Sequence, residues 1–188
     1  MAEQRTQYRA PWQGEQSLSS DTPLYKRDPA AWRAYLAEGN ATQPRKRVGA
    51  DVLLRDEVGH VLLVDPRYKP DWDLPGGMAE ENEPPAEAAH RELSEELGLD
   101  LAVARLLVVD WVAPHGPWDD SLMFIFDGGL LSTEQIAKLQ LVDGELAAFE
   151  FCSHEEMAKR LRPYVWQRAN AAITALRDGY ARYLENGR

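Results

Sequence analysis

The segment "GGMAEENEPPAEAAHRELSEELG", Gly76 to Gly98, concentrates glutamates at a density that raises an electrostatic question. Read as a helix, its second half places Glu92, Glu95 and Glu96 within roughly 100° of one face. Ala89, Leu93 and Leu97 fall on the other side, so the spacing predicts that three carboxylates converge while the leucines bury. Like charges at i, i+3 and i+4 repel by about a few tenths of a kcal/mol per pair. A solvated face would intersperse lysines to relieve that. Here no lysine occurs between Lys69 and Lys138, and Arg91 is the only cation inside the cluster. Carboxylate oxygens at this density suit a hard divalent ion, Mg2+ or Mn2+, which turns the repulsion into coordination. A divalent ion held there neutralises negative charge on a ligand and activates a bound water as nucleophile. One of the glutamates is then placed to take the proton from that water.

The chain around this segment must hold it in place. Pro84-Pro85 suits a helix start, because first-turn N–H groups have no partner in any case, and Gly98 suits a left-handed stop. Upstream, "VGADVLLRD" and "HVLLVDP" read as a hairpin around "DEVG", and "DWDLPGG" as a short strand. Downstream, "LAVARLLVVDWVA" and "SLMFIFDGGLL" are strand-like and joined by the loop "PHGPWDD". "STEQIAKLQ" is a short helix or loop, "ELAAFEF" a strand, and "SHEEMAKRLR" a helix capped by Ser153. Strands outnumber helices without regular alternation, which predicts an α+β fold with a mixed sheet and a few packed helices.

Both ends carry further apolar faces. "DPAAWRAYLAEGN" offers Asp28 as cap and Pro29 at the first helical position, with Gly39-Asn40 closing a helix that aligns Trp32, Tyr35 and Leu36. At the other end Val165, Ala169, Ala172, Ile173, Leu176, Tyr180 and Tyr183 recur at helical spacing. The expected division is an extension with a short helix over 1–45, a catalytic domain over 46–162 and a C-terminal helix over 163–188. These terminal faces exceed what a minimal sheet-and-helix core needs, and a homodimer is expected to cover them.

Composition sets outer limits. The chain has 188 residues and a formal net charge of -10, which argues against nucleic acid or an anionic membrane as partner. The single cysteine, Cys152, excludes an intrachain disulfide and reads as a small buried hydrophobe. The N-terminus has no apolar signal region and no run is long enough to span a membrane, so a soluble cytoplasmic protein is expected. No G-x-x-x-x-G-K-[ST] loop, EF-hand loop or zinc-ligand set occurs.

Gly77, five residues, Glu83, seven residues and then Arg91-Glu92-Leu93-Ser94-Glu95-Glu96-Leu97-Gly98-Leu99 resemble the Nudix hydrolase box without a departure. The preceding "LPGG" and the flanking strand order are similar to that family over roughly Val48 to Arg162. The resemblance implies an α/β/α sandwich and hydrolysis of a nucleoside diphosphate linked to another group. It implies Glu92, Glu95 and Glu96 as metal ligands, Glu83 and Arg91 as an ion pair orienting the catalytic helix, and Gly77 as a close backbone approach to the metal. Glu145 begins the strand "ELAAFEF" where such enzymes often place a further acid, as base or additional ligand. Asp119 and Asp120 compete for that role.

Substrate residues are less determined. Family members that cleave ADP-ribose often carry a proline about fifteen residues past the box, and Pro114 stands at that distance from Leu99. Trp118, Trp72, Trp111 and Tyr68 are candidates to stack on a base or sugar, Trp118 foremost because it sits in a loop, and His115 could touch a phosphate. A small-molecule nucleotide is thus the expected partner, ADP-ribose or another nucleotide-sugar first. An oxidised nucleoside triphosphate or a dinucleoside polyphosphate is the alternative. A non-catalytic nucleotide-sensing module is the alternative of another class, although every box acid is present.

Overall fold

Two apolar runs around a tight turn begin the core. A computed structural model describes residues 22–103 and 105–188. In it β1 (Arg47–Arg55) and β2 (Val61–Pro66) form an antiparallel hairpin. Asp56 closes the turn by accepting the N–H groups of Val58 (3.0 Å) and His60 (2.8 Å), and Gly59 supplies the positive φ of 90°. The next elements are β3 (Gly76–Met78), α3 (Pro85–Leu97), β4 (Arg105–Val112), β5 (Ser121–Leu130) and α4 (Thr133–Ile136). β6 (Leu146–Cys152), α5 (His154–Arg160), α6 (Pro163–Asp178) and β7 (Arg182–Glu185) complete this unit, Lys46–Arg188.

The strands form one mixed, seven-stranded sheet in the order β6-β2-β1-β5-β4-β7, with β3 pairing on β1. The β1–β5 and β4–β7 pairs are parallel and the others antiparallel. β1 is buried on both faces from Gly49 to Leu54, as a central strand must be. Ala50, Val52 and Leu54 meet Ala89, Leu93 and Leu97 of α3 in one core. Leu53, Leu63, Leu107 and Ile125 meet Met157 of α5 and Val165, Ala169, Ala172 and Ala175 of α6 in a second. Helices therefore cover both faces, giving the α/β/α sandwich that the resemblance implied. Burying each leucine contributes about 1.5–3 kcal/mol, so both layers matter to stability.

The second core shows where the expected C-terminal helix packs. The segment 163–188 does not stand apart from 46–162, because α6 is the helix layer that keeps Leu53, Leu107 and Ile125 from water. Alanines at its buried positions let the helix lie close to the sheet. Nor does the helix reach Tyr183. Gly179 ends it at φ 88°, and Tyr183 belongs to β7, opposite Val109 in parallel register. The 165–176 part of that face is thus covered within its own unit, while Tyr180 and Tyr183 remain exposed, which weakens the reason for expecting a homodimer.

The other unit is described over residues 22–45. It holds α1 (Leu24–Arg27) and α2 (Pro29–Thr42). Asp28 caps α2 by accepting the N–H groups of Ala30 (3.1 Å) and Ala31 (2.9 Å). The helix runs through Gly39 and Asn40 rather than closing there, and the Thr42 hydroxyl donates to the Glu38 and Gly39 carbonyls at its end. Trp32 stacks on Tyr35 at 5.5 Å, while Tyr35 and Leu36 are exposed. Among the described residues no helix is long and apolar enough to cross a membrane.

Candidate active site

Pro84 and Pro85 open α3, and Gly98, at φ 63°, closes it by donating to the Leu93 and Ser94 carbonyls. This pins the helix at both ends, with Leu93 and Leu97 buried beneath it. Its polar face then meets the Gly76-Gly77 backbone. A Cβ on Gly77 would sit 2.5 Å from the Glu92 carboxylate, and one on Gly76 would strike the Ala50 carbonyl oxygen at 2.2 Å. Gly76 also requires φ 137°, so both glycines are dictated by close approach.

Arg91 organises the acids. Its guanidinium donates to both Glu83 oxygens (2.9 and 3.0 Å), to Glu92 Oε1 (2.9 Å), to Glu95 Oε2 (2.9 Å) and to the Met78 carbonyl (3.1 Å). These bonds hold the Glu83 carboxyl below its usual range and raise Arg91 further. The Glu83–Arg91 pair thus ties α3 to the loop before it, and to β3.

Glu96 is buried and accepts the Gly76 N–H at 3.0 Å. Burial pushes its carboxyl up to about 8, opposed by that N–H and reinforced by Glu92 and Asp143. Burial raises Glu92 as well, against the pull of Arg91, with Glu95 and Glu145 adding repulsion. Glu95 differs: its side chain is 55% exposed and Arg91 engages it. The expected convergence of all three on one point is therefore absent, because Arg91 draws Glu92 and Glu95 while Glu96 turns to Gly76. Among the described residues no three acids, histidines or cysteines gather as a ready ligand set. The chemistry still fits a hard divalent ion. The donors are all oxygen, and Glu92 and Glu96 are partly or fully buried carboxylates whose pKa values burial raises. Mg2+ or Mn2+ would be held by these two beside Gly77, with Glu95 at the rim.

Glu145 is exposed and directly precedes β6, which begins at Leu146. Its N–H donates to Asp143 (3.1 Å) and its carbonyl accepts from the Arg67 N–H (2.8 Å). Its charge reaches Glu92, which keeps it beside the site without placing it in contact. Asp120 accepts from Lys46 and from the Trp111 indole (2.8 Å), which occupies the indole N–H and leaves its ring face as the only stacking surface of Trp111.

A cleft of about 320 Å³ opens over Gly76 and Gly77. Asp51, Arg47, Trp118, His115 and Arg168 are among the residues that line it. Trp118 is 54% exposed, and its ring carries the Arg47 guanidinium at 4.4 Å. Pro114 lines an adjoining hollow that shares Val112, His115 and Tyr164 with the cleft. Trp72 packs against the second core under the Arg160 guanidinium (4.6 Å), next to Asp73, which lines the cleft.

Sequence reasoning missed a buried polar group beside the cleft. Asp110 is fully buried and accepts Arg168 Nε at 2.9 Å and the Gly187 N–H at 3.0 Å. Arg168 Nη1 lies 3.8 Å from Asp51 Oδ2. Burial raises Asp51 to about 7, with Asp73 adding to it and Arg168 opposing. The signal was present: an aspartate inside each apolar run, "GADVLL" and "LVVDWV", is a charge at a core position.

Comparison with known proteins gives three results. The family model described as "NUDIX domain" matches residues 45–174. A putative 8-oxo-dGTP diphosphatase of Bacillus subtilis is 43% identical over 56 residues, which is 30% of this chain and 38% of that protein. An RNA pyrophosphohydrolase of Helicobacter pylori is 30% identical over 119 residues, 58% of this chain and 76% of that protein. Among solved structures, a UDP-X diphosphatase aligns with a TM-score of 0.62 at 20% identity, covering 82% of this chain and 74% of the other. That likeness establishes the sandwich fold.

Proposed function

The chain belongs to the Nudix family, and we propose that it is a metal-dependent hydrolase cleaving the pyrophosphate bond of a nucleoside diphosphate linked to another group. The observation that carries this reading is the pair of desolvated carboxylates, Glu92 and Glu96, lying against the Gly76-Gly77 backbone that floors the cleft. A divalent ion bound there would neutralise phosphate charge and lower the pKa of an attacking water. Arg91 keeps Glu92 and Glu95 in place, and Glu83 keeps Arg91 in place. One of the box carboxylates, deprotonated beside the ion, would take the proton from that water. The curated relatives with the strongest matches are covered to only 38% of their length, so the activity of the whole chain is part of this proposal.

For the substrate, the cleft and the Pro114 hollow adjoin and share a wall. Two neighbouring compartments suit a diphosphate with a group on each side, and ADP-ribose or another nucleotide-sugar has that form. The negative net charge favours two phosphates over three or four. A second reading, an oxidised nucleoside triphosphate, is supported by the similarity to the Bacillus protein. A panel with Mg2+ and Mn2+ decides between them: ADP-ribose, other nucleotide-sugars, 8-oxo-dGTP, dGTP, diadenosine polyphosphates and a 5′-triphosphate RNA. Nucleotide-sugars are expected to give the highest kcat/KM. A higher value for 8-oxo-dGTP would replace this reading with the second, and binding without any turnover would favour a sensing module.

A further inference from the structure

The cations around the cleft are unequal. Lys69 is bound to Asp73 (2.5 Å), Arg162 to Asp71 (2.6 Å) and Arg168 to Asp110 (2.9 Å). Arg47 alone among the cleft-lining cations has no carboxylate partner among the described residues. Among the described residues its side chain hydrogen-bonds to the Met78 sulfur alone, at 3.9 Å. In a chain of net charge -10, an arginine that lines the cleft beside Asp51 and Asp73 with no carboxylate partner among the described residues stands out.

Its placement is nevertheless fixed. Arg47 opens β1 opposite Ser121 of β5, and its N–H donates to the Asp120 carbonyl at 3.3 Å. Its guanidinium lies over the Trp118 ring at 4.4 Å. Trp118 is itself clamped, since its N–H and carbonyl exchange hydrogen bonds with His115 at 2.9 and 3.0 Å. A guanidinium stacked on an indole is ordered by its flat face and keeps its in-plane N–H edges open. Those edges match two oxygens of a phosphate, and pre-ordering lowers the entropy lost on binding.

We propose that Arg47, ordered by stacking on Trp118, is the anchor for the diphosphate of the nucleotide substrate, and that the two residues set affinity for nucleoside diphosphates over nucleosides. This rests on the function proposed above, and it adds a specificity-determining residue outside the box. Arg47 holds the phosphates over Gly76 and Gly77 while the box carboxylates act on the bond. Trp118 both orders the guanidinium and offers apolar area to the adjoining base or sugar.

The test is calorimetric titration of the full chain with ADP, adenosine and inorganic pyrophosphate, in EDTA and again in Ca2+. Wild type, Arg47→Met, Arg47→Lys and Trp118→Leu are compared after each is shown to unfold at a similar temperature. Arg47→Met is expected to weaken ADP and pyrophosphate by about ten-fold or more and to leave adenosine unchanged, with Arg47→Lys recovering part of the loss. Trp118→Leu should weaken adenosine through the lost apolar contact, pyrophosphate through the lost ordering of Arg47, and ADP through both. In turnover, the larger part of the Arg47→Met defect should fall on KM. If Arg47→Met fails to fold, the partial loss in Arg47→Lys and its restriction to phosphate-bearing ligands carry the test. Equal ADP affinity in wild type and the Arg47 variants, or a wild type that holds ADP no more tightly than adenosine, overturns the proposal. Because titration needs no turnover, a chain that binds ADP through Arg47 yet hydrolyses nothing on the panel refutes the hydrolase reading alone.

Discussion

At the residue scale, the site is defined by which carboxylates are desolvated. Glu92 and Glu96 are held against backbone, whereas Glu95 sits at the solvent edge in a bond to Arg91. Glu92→Gln and Glu96→Gln are therefore expected to lower kcat by about 10²-fold or more, the size of a lost electrostatic contact at a reacting centre, with thermal unfolding nearly unchanged. Near-normal turnover in either variant would remove it from the site. Gly77→Ala tests the geometry without touching a charge. Its Cβ would displace the Glu92 carboxylate, so turnover should fall by about ten-fold or more while ADP binding persists. Retained turnover would show that Glu92 need not lie against that backbone. The box residues were legible in the sequence because helix period, proline start and glycine stop are local. Arg47 was not, because what matches or leaves unmatched its charge is decided by sheet register across most of the unit.

At the element scale, α6 is the part whose packing sequence reading left open. Its apolar spacing predicted a helix correctly, but spacing alone does not tell which surface a helix covers, and the Val165–Ala175 face belongs to the second core. A chain ending at Arg162 should lose cooperative unfolding in urea, since the sheet face at Leu53, Leu107 and Ile125 would be exposed. A cooperative transition in that truncated chain would restore the division at 162. β7 escaped notice because four residues of "RYLE" carry little pattern, and only the parallel edge of β4 makes them a strand. α6 also carries Arg168 into a buried pair with Asp110. Arg168→Met leaves Asp110 and Asp51 without their cation and should cost about 3–5 kcal/mol in urea unfolding at neutral pH. A loss below about 1 kcal/mol would mean that Gly187 and its surroundings satisfy Asp110 alone.

At the scale of the whole molecule, the sandwich joins two jobs. One face of β1 packs α3 and aligns the box, while the other packs α6, whose Arg168 reaches the cleft wall. The most direct measurement is hydrolysis of a nucleotide-sugar by wild type and Glu96→Gln, in excess EDTA and after Mg2+ or Mn2+ is restored. Turnover by wild type only with the metal, and a fall of about 10²-fold or more in Glu96→Gln, is the expected result. Full turnover in excess chelator, or an unimpaired Glu96→Gln, would contradict a metal-dependent centre on α3.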